Sequence, residues 1–260
     1  MEGLPRAAAE LVAKRVDVIL TIGPEGAVAA ARATQSIPIV FWGVGSVPVE
    51  LGLVTSLSRP GGNATGIAGS AGPLSVKQFE LLKTIVPRAT RVATFTFPGL
   101  LQTVSGKPLV TSATSEVAAA ASKLKIKLTS YPVEKAEDFD SAFAAILKAR
   151  AQALLVPGTR LTVLNRQRLV DFANRNRLPS AFNLAVFAEA GGLFSYGQIQ
   201  SETFVRRNEI VDKILRGARP ADIPVEFPNR YELVINQKTA RALNLTIPQS
   251  VLLRAERVIE

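Results

Sequence analysis

Ser56-Leu57-Ser58-Arg59-Pro60-Gly61-Gly62-Asn63-Ala64-Thr65-Gly66-Ile67-Ala68-Gly69-Ser70 is the stretch on which the reading of this chain turns. Pro presets φ at about −65° and Gly accepts positive φ, so Pro60, Gly61, Gly62 and Asn63 mark a turn. Ala64–Ile67 then reads as a short apolar strand leaving it. Helix and strand patterns alternate on both sides. The stretch therefore reads as the place where the chain crosses from one α/β lobe into another, although its composition also suits an ordinary surface loop.

Upstream, Leu4, Ala8, Leu11 and Val12 follow helical spacing, and Val16–Leu20 is an apolar run that predicts a buried strand. Thr21–Gly26 reads as a turn, Ala27–Thr34 as a helix and Ile37–Trp42 as the next strand. That order is the unit of a parallel sheet. Gly43-Val44-Gly45-Ser46-Val47-Pro48 mimics a dinucleotide fingerprint, but Pro48 stands where the third Gly belongs and no acidic residue closes a following strand. It predicts instead a strand-to-helix turn with Pro48 at the first helical position.

Downstream the alternation resumes. Helices are predicted at Ser75–Val86, Ser115–Leu124, Asp138–Ala149, Asn165–Asn176 and Glu202–Gly217, with a helical turn at Val186–Ala190. Strands are predicted at Val92–Phe97, Lys127–Val133, Ala153–Val156, Ser180–Asn183, Leu193–Tyr196 and Tyr231–Ile235. Thr239–Leu243 and Ser250–Arg257 read as final helices. The regular alternation assigns the α/β class.

Composition narrows the chemistry. A chain of 260 residues suits one large domain or two lobes, and 47% hydrophobic content supplies the cores. No apolar run approaches the ~18 residues of a membrane span. Met1–Lys14 carries charges where a signal segment is apolar. With no Cys and no His, thiol nucleophiles, imidazole bases, Ser-His-Asp triads and Cys/His zinc sites are excluded. Only a carboxylate or Lys mechanism stays open, and no cofactor is expected.

The formal charge of +10 invites nucleic acid. Its basic residues, however, run from Arg6 to Arg257 rather than gathering. The densest run, Arg160–Arg177, lies on a helical pattern whose other face is Leu164, Leu169, Phe172 and Ala173, without interleaved aromatics for stacking. It reads as a solvated face, and no nucleic-acid partner is expected. Glu134, Glu137, Asp138 and Asp140 imitate a paired-carboxylate site, but acids at a helix start favour the helix dipole and read as structural.

Three separated motifs carry a resemblance. Arg59-Pro60-Gly61-Gly62-Asn63-Ala64-Thr65-Gly66, Ala190-Gly191-Gly192-Leu193-Phe194-Ser195-Tyr196-Gly197 and Tyr231-Glu232-Leu233-Val234-Ile235-Asn236 resemble the ABC-transporter substrate-binding family that includes tryptophan- and tyrosine-binding members. The likeness runs along essentially the whole chain, including Leu51-Gly52-Leu53-Val54 and Ala240–Leu245. It implies two doubly wound parallel-sheet lobes joined by a hinge, like type I periplasmic binding proteins. The first lobe would comprise residues 1–66 and about 198–230, the second 67–197 and about 231–260. It also implies a periplasmic or outer-side, membrane-anchored receptor without catalysis, which hands a small organic ligand, an aromatic or branched amino acid, to an ABC permease.

Two departures stand out. The family usually has a signal segment and a strand–helix–strand unit before the helix at Leu4–Lys14, and neither is in this sequence. The resemblance thus implies a first lobe incomplete at its N-terminus, leading to self-association as a homodimer through that lobe or to weak ligand binding. Val47 precedes Pro48 where the family often has Asp, so no carboxylate grip is implied there.

Ligands of open α/β sheets bind at the carboxyl ends of the strands. In the first lobe this nominates Thr21, Gly23, Pro24, Glu25 and Gly26, then Trp42, Gly43 and Ser46. Backbone N–H groups opening the Ala27 helix suit a carboxylate, or are a plain helix start. Trp42 is either a stacking platform or a large core residue. In the second lobe it nominates Phe97 and Pro98, then Pro157, Gly158, Thr159 and Arg160, then Asn183 and Tyr196. Arg160 suits a bidentate carboxylate pair or a solvated loop. Two rivals remain: a regulator's effector domain, and a carboxylate enzyme using Glu25 or Glu189.

Overall fold

The computed structural model describes residues 3–45, 47–69, 71–97, 103–107 and 112–260. They divide into two compact units, one comprising Met1–Ala71, Gly99–Thr111 and Ile199–Asn229, the other Gly72–Pro98, Ser112–Gln198 and Arg230–Glu260. In chain order the first unit contributes α1 (Gly3–Ala13), β1 (Ile19–Ile22), α2 (Gly23–Ala33), β2 (Ile39–Trp42) and β3 (Ala64–Ile67). The second continues with α3 (Ala71–Ile85), β4 (Arg91–Thr96), α4 (Ser112–Lys123), β5 (Lys127–Pro132), α5 (Asp138–Lys148) and β6 (Ala153–Val156). There follow α6 (Arg160–Leu164), α7 (Arg166–Arg175), β7 (Ser180–Phe182), α8 (Ala185–Glu189) and β8 (Phe194–Gln198). The chain returns to the first unit for α9 (Gln200–Leu215) and ends in the second with β9 (Tyr231–Asn236), α10 (Gln237–Ala242), α11 (Gln249–Leu252) and β10 (Arg257–Ile259).

In the first unit β1, β2 and β3 form a parallel sheet in that order. One face carries Ile19, Ile39 and Phe41, packed with Ala27, Val28 and Ala30 of α2 and with Leu51, Leu53 and Val54. The other carries Val40 and Ile67, covered by Ile210 and Ile214 of α9 and by Ile223. Beyond β3 the chain at Glu226 runs parallel to Ile67, with Glu226 N donating to Gly66 O. Gly66 pairs with Phe41, and a Cβ there would stand 2.0 Å from Phe41 O, so the strands can meet only at a glycine.

The Pro60–Asn63 turn is held within this unit. Thr55 Oγ1 donates to Arg59 O and Pro60 O, and Asn63 Nδ2 to Thr34 O and Ile37 O. The crossing to the second unit comes later, at Ala71–Gly72. Two sequence expectations change. The turn expected at Thr21–Gly26 is the end of β1 and the first turn of α2, because Pro24 stands where its missing N–H costs nothing. No helix follows Pro48: residues 48–52 form tight turns, with Leu51 N donating to Val47 O and Leu53 N to Pro48 O.

Residues 103–107 also dock on the first unit. Arg32 Nε donates to Val104 O and Nη2 to Thr103 O, while Val104 N donates to Leu51 O.

The second unit is a seven-stranded sheet, β10-β9-β8-β7-β6-β4-β5, parallel except at the antiparallel β8–β9 pair. Alternate residues feed two cores, as a sheet buried on both faces requires. Val92, Leu155, Ala181 and Phe194 pack with Phe79, Leu82 and Ile85 of α3. Ala93, Phe95, Leu154, Val156 and Phe182 pack with Phe139, Ile146, Leu169 and Phe172 of α5 and α7. The helix expected at Asn165–Asn176 is preceded by α6, which ends at Leu164 with Asn165 as the cap between it and α7. That break takes Leu164 off the buried face expected for it, and it is exposed. The expected Ser250–Arg257 helix is one turn, α11, followed by β10, whose backbone pairs in parallel with β9.

Candidate functional site

The first unit gathers its nominated residues at the ends of β1 and β2. Gly23, Pro24, Glu25 and Gly26 make the first turn of α2, and Ile22 before it offers no side-chain cap. The leading N–H groups of a helix have no intrahelical partner, so this end is electropositive. Thr21 is 8% exposed and its Oγ1 has no hydrogen-bond partner. It shares the α2 face with its partner Phe41, against Gly26, whose added Cβ would come 3.6 Å from Thr21 Cβ. Gly43 lies beside Gly23, since a Cβ on it would come 3.9 Å from Gly23 N.

Trp42 lies on the opposite face, paired with Ile67 and packed at the edge of the α9 cluster. Its ring meets Phe204 edge-on at 4.9 Å, Arg207 covers Phe204 at 5.1 Å, and Trp42 Nε1 is buried without a partner. The indole is thus a packing residue that still offers an unused donor. Ser46 falls outside the described residues, as does Pro98.

In the second unit the strand order β8-β7-β6-β4 sets Tyr196, Asn183, the 157–160 turn and Phe97 in sequence along one end of the sheet. Phe97 packs half-buried against the Phe95 and Phe139 core. Thr159 caps α6, its Oγ1 accepting from Thr162 N at 3.2 Å, so its hydroxyl is already engaged. Arg160 is the exposed first residue of α6. Tyr196 stacks on Tyr231 at 6.0 Å. Asn183 follows β7 directly, and its Oδ1 is buried with no hydrogen-bond partner.

Gln78 was missed by sequence reasoning. It is 3% exposed on α3, and its Nε2 donates to Phe182 O and Tyr196 O, each at 2.9 Å. Those carbonyls lie on β7 and β8, so one amide fixes the strand ends that carry Asn183 and Tyr196. Its signal was a lone amide at helical spacing from Leu74, Leu82 and Ile85. Phe204 gave no signal beyond an ordinary amphipathic helix.

Asp138 and Glu189 have structural partners. Asp138 accepts from Glu134 N and Lys135 N, and those bonds hold its carboxyl below the ordinary aspartate range. Glu189 pairs with Arg257 at 2.6 Å. Burial pushes the carboxyl of Glu232, opposite Gly197, above the ordinary glutamate range, with Arg257 opposing.

A family profile described as "ABC transporter substrate binding protein" matches residues 2–259. A tyrosine-binding protein of Clostridioides difficile (strain R20291) is 28% identical over 242 residues, 92% of this chain and 66% of that protein. The chain therefore spans just under two thirds of that relative's length. The structure of an ABC domain in complex with L-Trp from Streptococcus pneumoniae superposes with a TM-score of 0.87 at 26% identity, covering 98% of this chain and 83% of that one. A conserved domain protein of Vibrio cholerae gives 0.87 at 28% identity, covering 98% and 82%.

Proposed function

The chain belongs to the ABC transporter substrate-binding protein family, and on that premise we propose that it is the solute receptor of an ABC uptake system with an aromatic amino acid as ligand. The observation that carries the reading is the family match over residues 2–259, joined to the likeness in fold and sequence to a protein holding L-Trp. The chemistry of the strand ends supports it. Each unit carries an aromatic ring and a buried polar atom without a partner at its strand ends: Trp42 and Thr21, on opposite faces of the sheet, in the first, and Tyr196 and Asn183 in the second. A small zwitterion with a flat apolar side chain supplies donors, acceptors and a stacking surface together.

In this reading the chain acts outside the cytoplasmic membrane, binds without turnover and delivers its ligand to a membrane-embedded permease. Among the described residues no helix is long and apolar enough to cross a membrane. The test is calorimetric titration with L-tryptophan, L-tyrosine and L-phenylalanine against branched amino acids, with the ligand recovered and analysed afterwards. Saturable binding of an aromatic amino acid, recovered intact, is expected. At a hundredfold excess over Kd it should stabilise the folded state by about 2.7 kcal/mol. Absence of binding, or conversion of the ligand, refutes the proposal.

A further inference from the structure

Asn183 sits in a cradle made of two glycines. A Cβ on Gly158, in the turn after β6, would fall 2.2 Å from Asn183 Oδ1 and 2.7 Å from Nδ2. A Cβ on Gly197, in β8, would fall 1.8 Å from Asn183 O. The turn after β6 on one side and β8 on the other thus give up side-chain space around this residue. The carboxamide packs against Gly158, and Gln78 bonds to the carbonyls of Phe182 and Tyr196. All this order surrounds an oxygen that accepts nothing: Asn183 Oδ1 is shielded from solvent without a hydrogen-bond partner. A buried acceptor left unmatched is destabilising, so this oxygen calls for a donor that the chain itself does not supply.

We propose that Asn183 Oδ1 receives the ammonium group of the ligand, and that Gly158 is the positioning residue that holds the carboxamide for it. The inference rests on the amino-acid reading above and adds which end of the ligand the second unit grips. Discrimination follows from it. A ligand without the amine leaves the oxygen unmatched again, so deaminated analogues bind poorly although their rings and carboxylates are unchanged.

The experiment titrates the full chain with L-tryptophan, its deaminated acid indole-3-propionate and its decarboxylated amine tryptamine, then repeats this with variants. The wild type should prefer L-tryptophan to indole-3-propionate by about 10–100-fold, the range of a hydrogen bond to a charged group. Asn183→Ala should lose that preference while binding indole-3-propionate as before, and Asn183→Asp should restore it. Gly158→Ala, whose methyl strikes the side chain and not the backbone, should match Asn183→Ala. The double variant should bind no worse than either single one and melt higher than Gly158→Ala, because the clash is gone.

Retention of the preference in Asn183→Ala overturns the inference, and so does a loss that tracks the carboxylate instead. If Asn183→Ala does not fold, the Gly158→Ala and Asn183→Asp preferences decide alone. A wild type that binds L-tryptophan and indole-3-propionate equally sinks this inference and leaves the receptor reading standing. A wild type that binds none of the three probes sinks both.

Discussion

Replacing Gln78 tests how the second unit's site is held. Its amide is 3% exposed and donates two hydrogen bonds, to Phe182 O and Tyr196 O. Gln78→Met keeps the volume and removes both donors. At about 1 kcal/mol per neutral bond, the loss is about 2 kcal/mol, before any cost of leaving the two oxygens dry. At ~2–4 °C per kcal/mol for a body of this size, the melting midpoint should fall by about 4–8 °C in thermal unfolding followed by circular dichroism. Gln78→Glu should be worse near neutral pH, because a carboxylate would face two carbonyls. That environment raises the folded-state pKa of the introduced carboxyl above its unfolded value. The penalty is therefore full above the folded pKa and is relieved as pH falls through it, when the neutral acid can donate. A Gln78→Met chain that melts within a degree of wild type would falsify the bracing role. A Gln78→Glu chain no weaker than Gln78→Met would show that donation is not what the site needs.

Trp42→Ala should weaken ligand binding by roughly tenfold, the worth of an aromatic contact, and unchanged affinity by titration would remove Trp42 from the site. Asp138→Ala should destabilise the chain near neutral pH but not in strong acid. The aspartate's folded pKa is lowered by the Glu134 and Lys135 N–H groups, so its contribution is present above the ordinary aspartate value and lost as pH falls through the lowered one. Equal differences in urea midpoint at about pH 7 and about pH 2.5 would contradict that origin. On the edge strand β1, Leu20 is 48% exposed and Ile22 62%, so these 260 residues should self-associate. Light scattering should show Leu20→Lys with Ile22→Lys reducing the association, and a wild-type monomer at high concentration would count against it.

The alternation of strands and helices was legible because periods of 2 and 3.6 are local properties. Ala153–Val156, a continuous apolar run between turn signals, is β6 residue for residue. Errors arose where local signals were ambiguous or partners distant. Gly23-Pro24 reads as a turn, yet Pro24 suits the first turn of a helix, and Gly23 leads into it at a φ of 77°. Arg257–Ile259 is a strand only because β9 lies beside it. Strand ends can be counted in the sequence, and that count nominated Trp42, Asn183 and Tyr196 as candidates. Gln78 escaped because the carbonyls it serves are 104 and 118 residues away. Thr159 looked like a site residue, but its hydroxyl closes a capping box that only the start at α6 makes visible.

Neither unit is one stretch of chain, and that sets a timetable for its birth. The first unit's sheet is complete as sequence once β3 has been made, but the helix that covers Val40 and Ile67 is α9. About 130 residues lie between them, roughly ten seconds of translation at ordinary rates. Through that interval one face of the nascent sheet is bare and sticky, while most of the second unit emerges. The second unit in turn waits for β9 and β10, which are made after α9. A ribosome stalled anywhere before α9 would hold two unfinished halves and no finished one. Fragments cut at Ala71–Gly72 should therefore be insoluble alone, and folding should be committed only after the last segments appear.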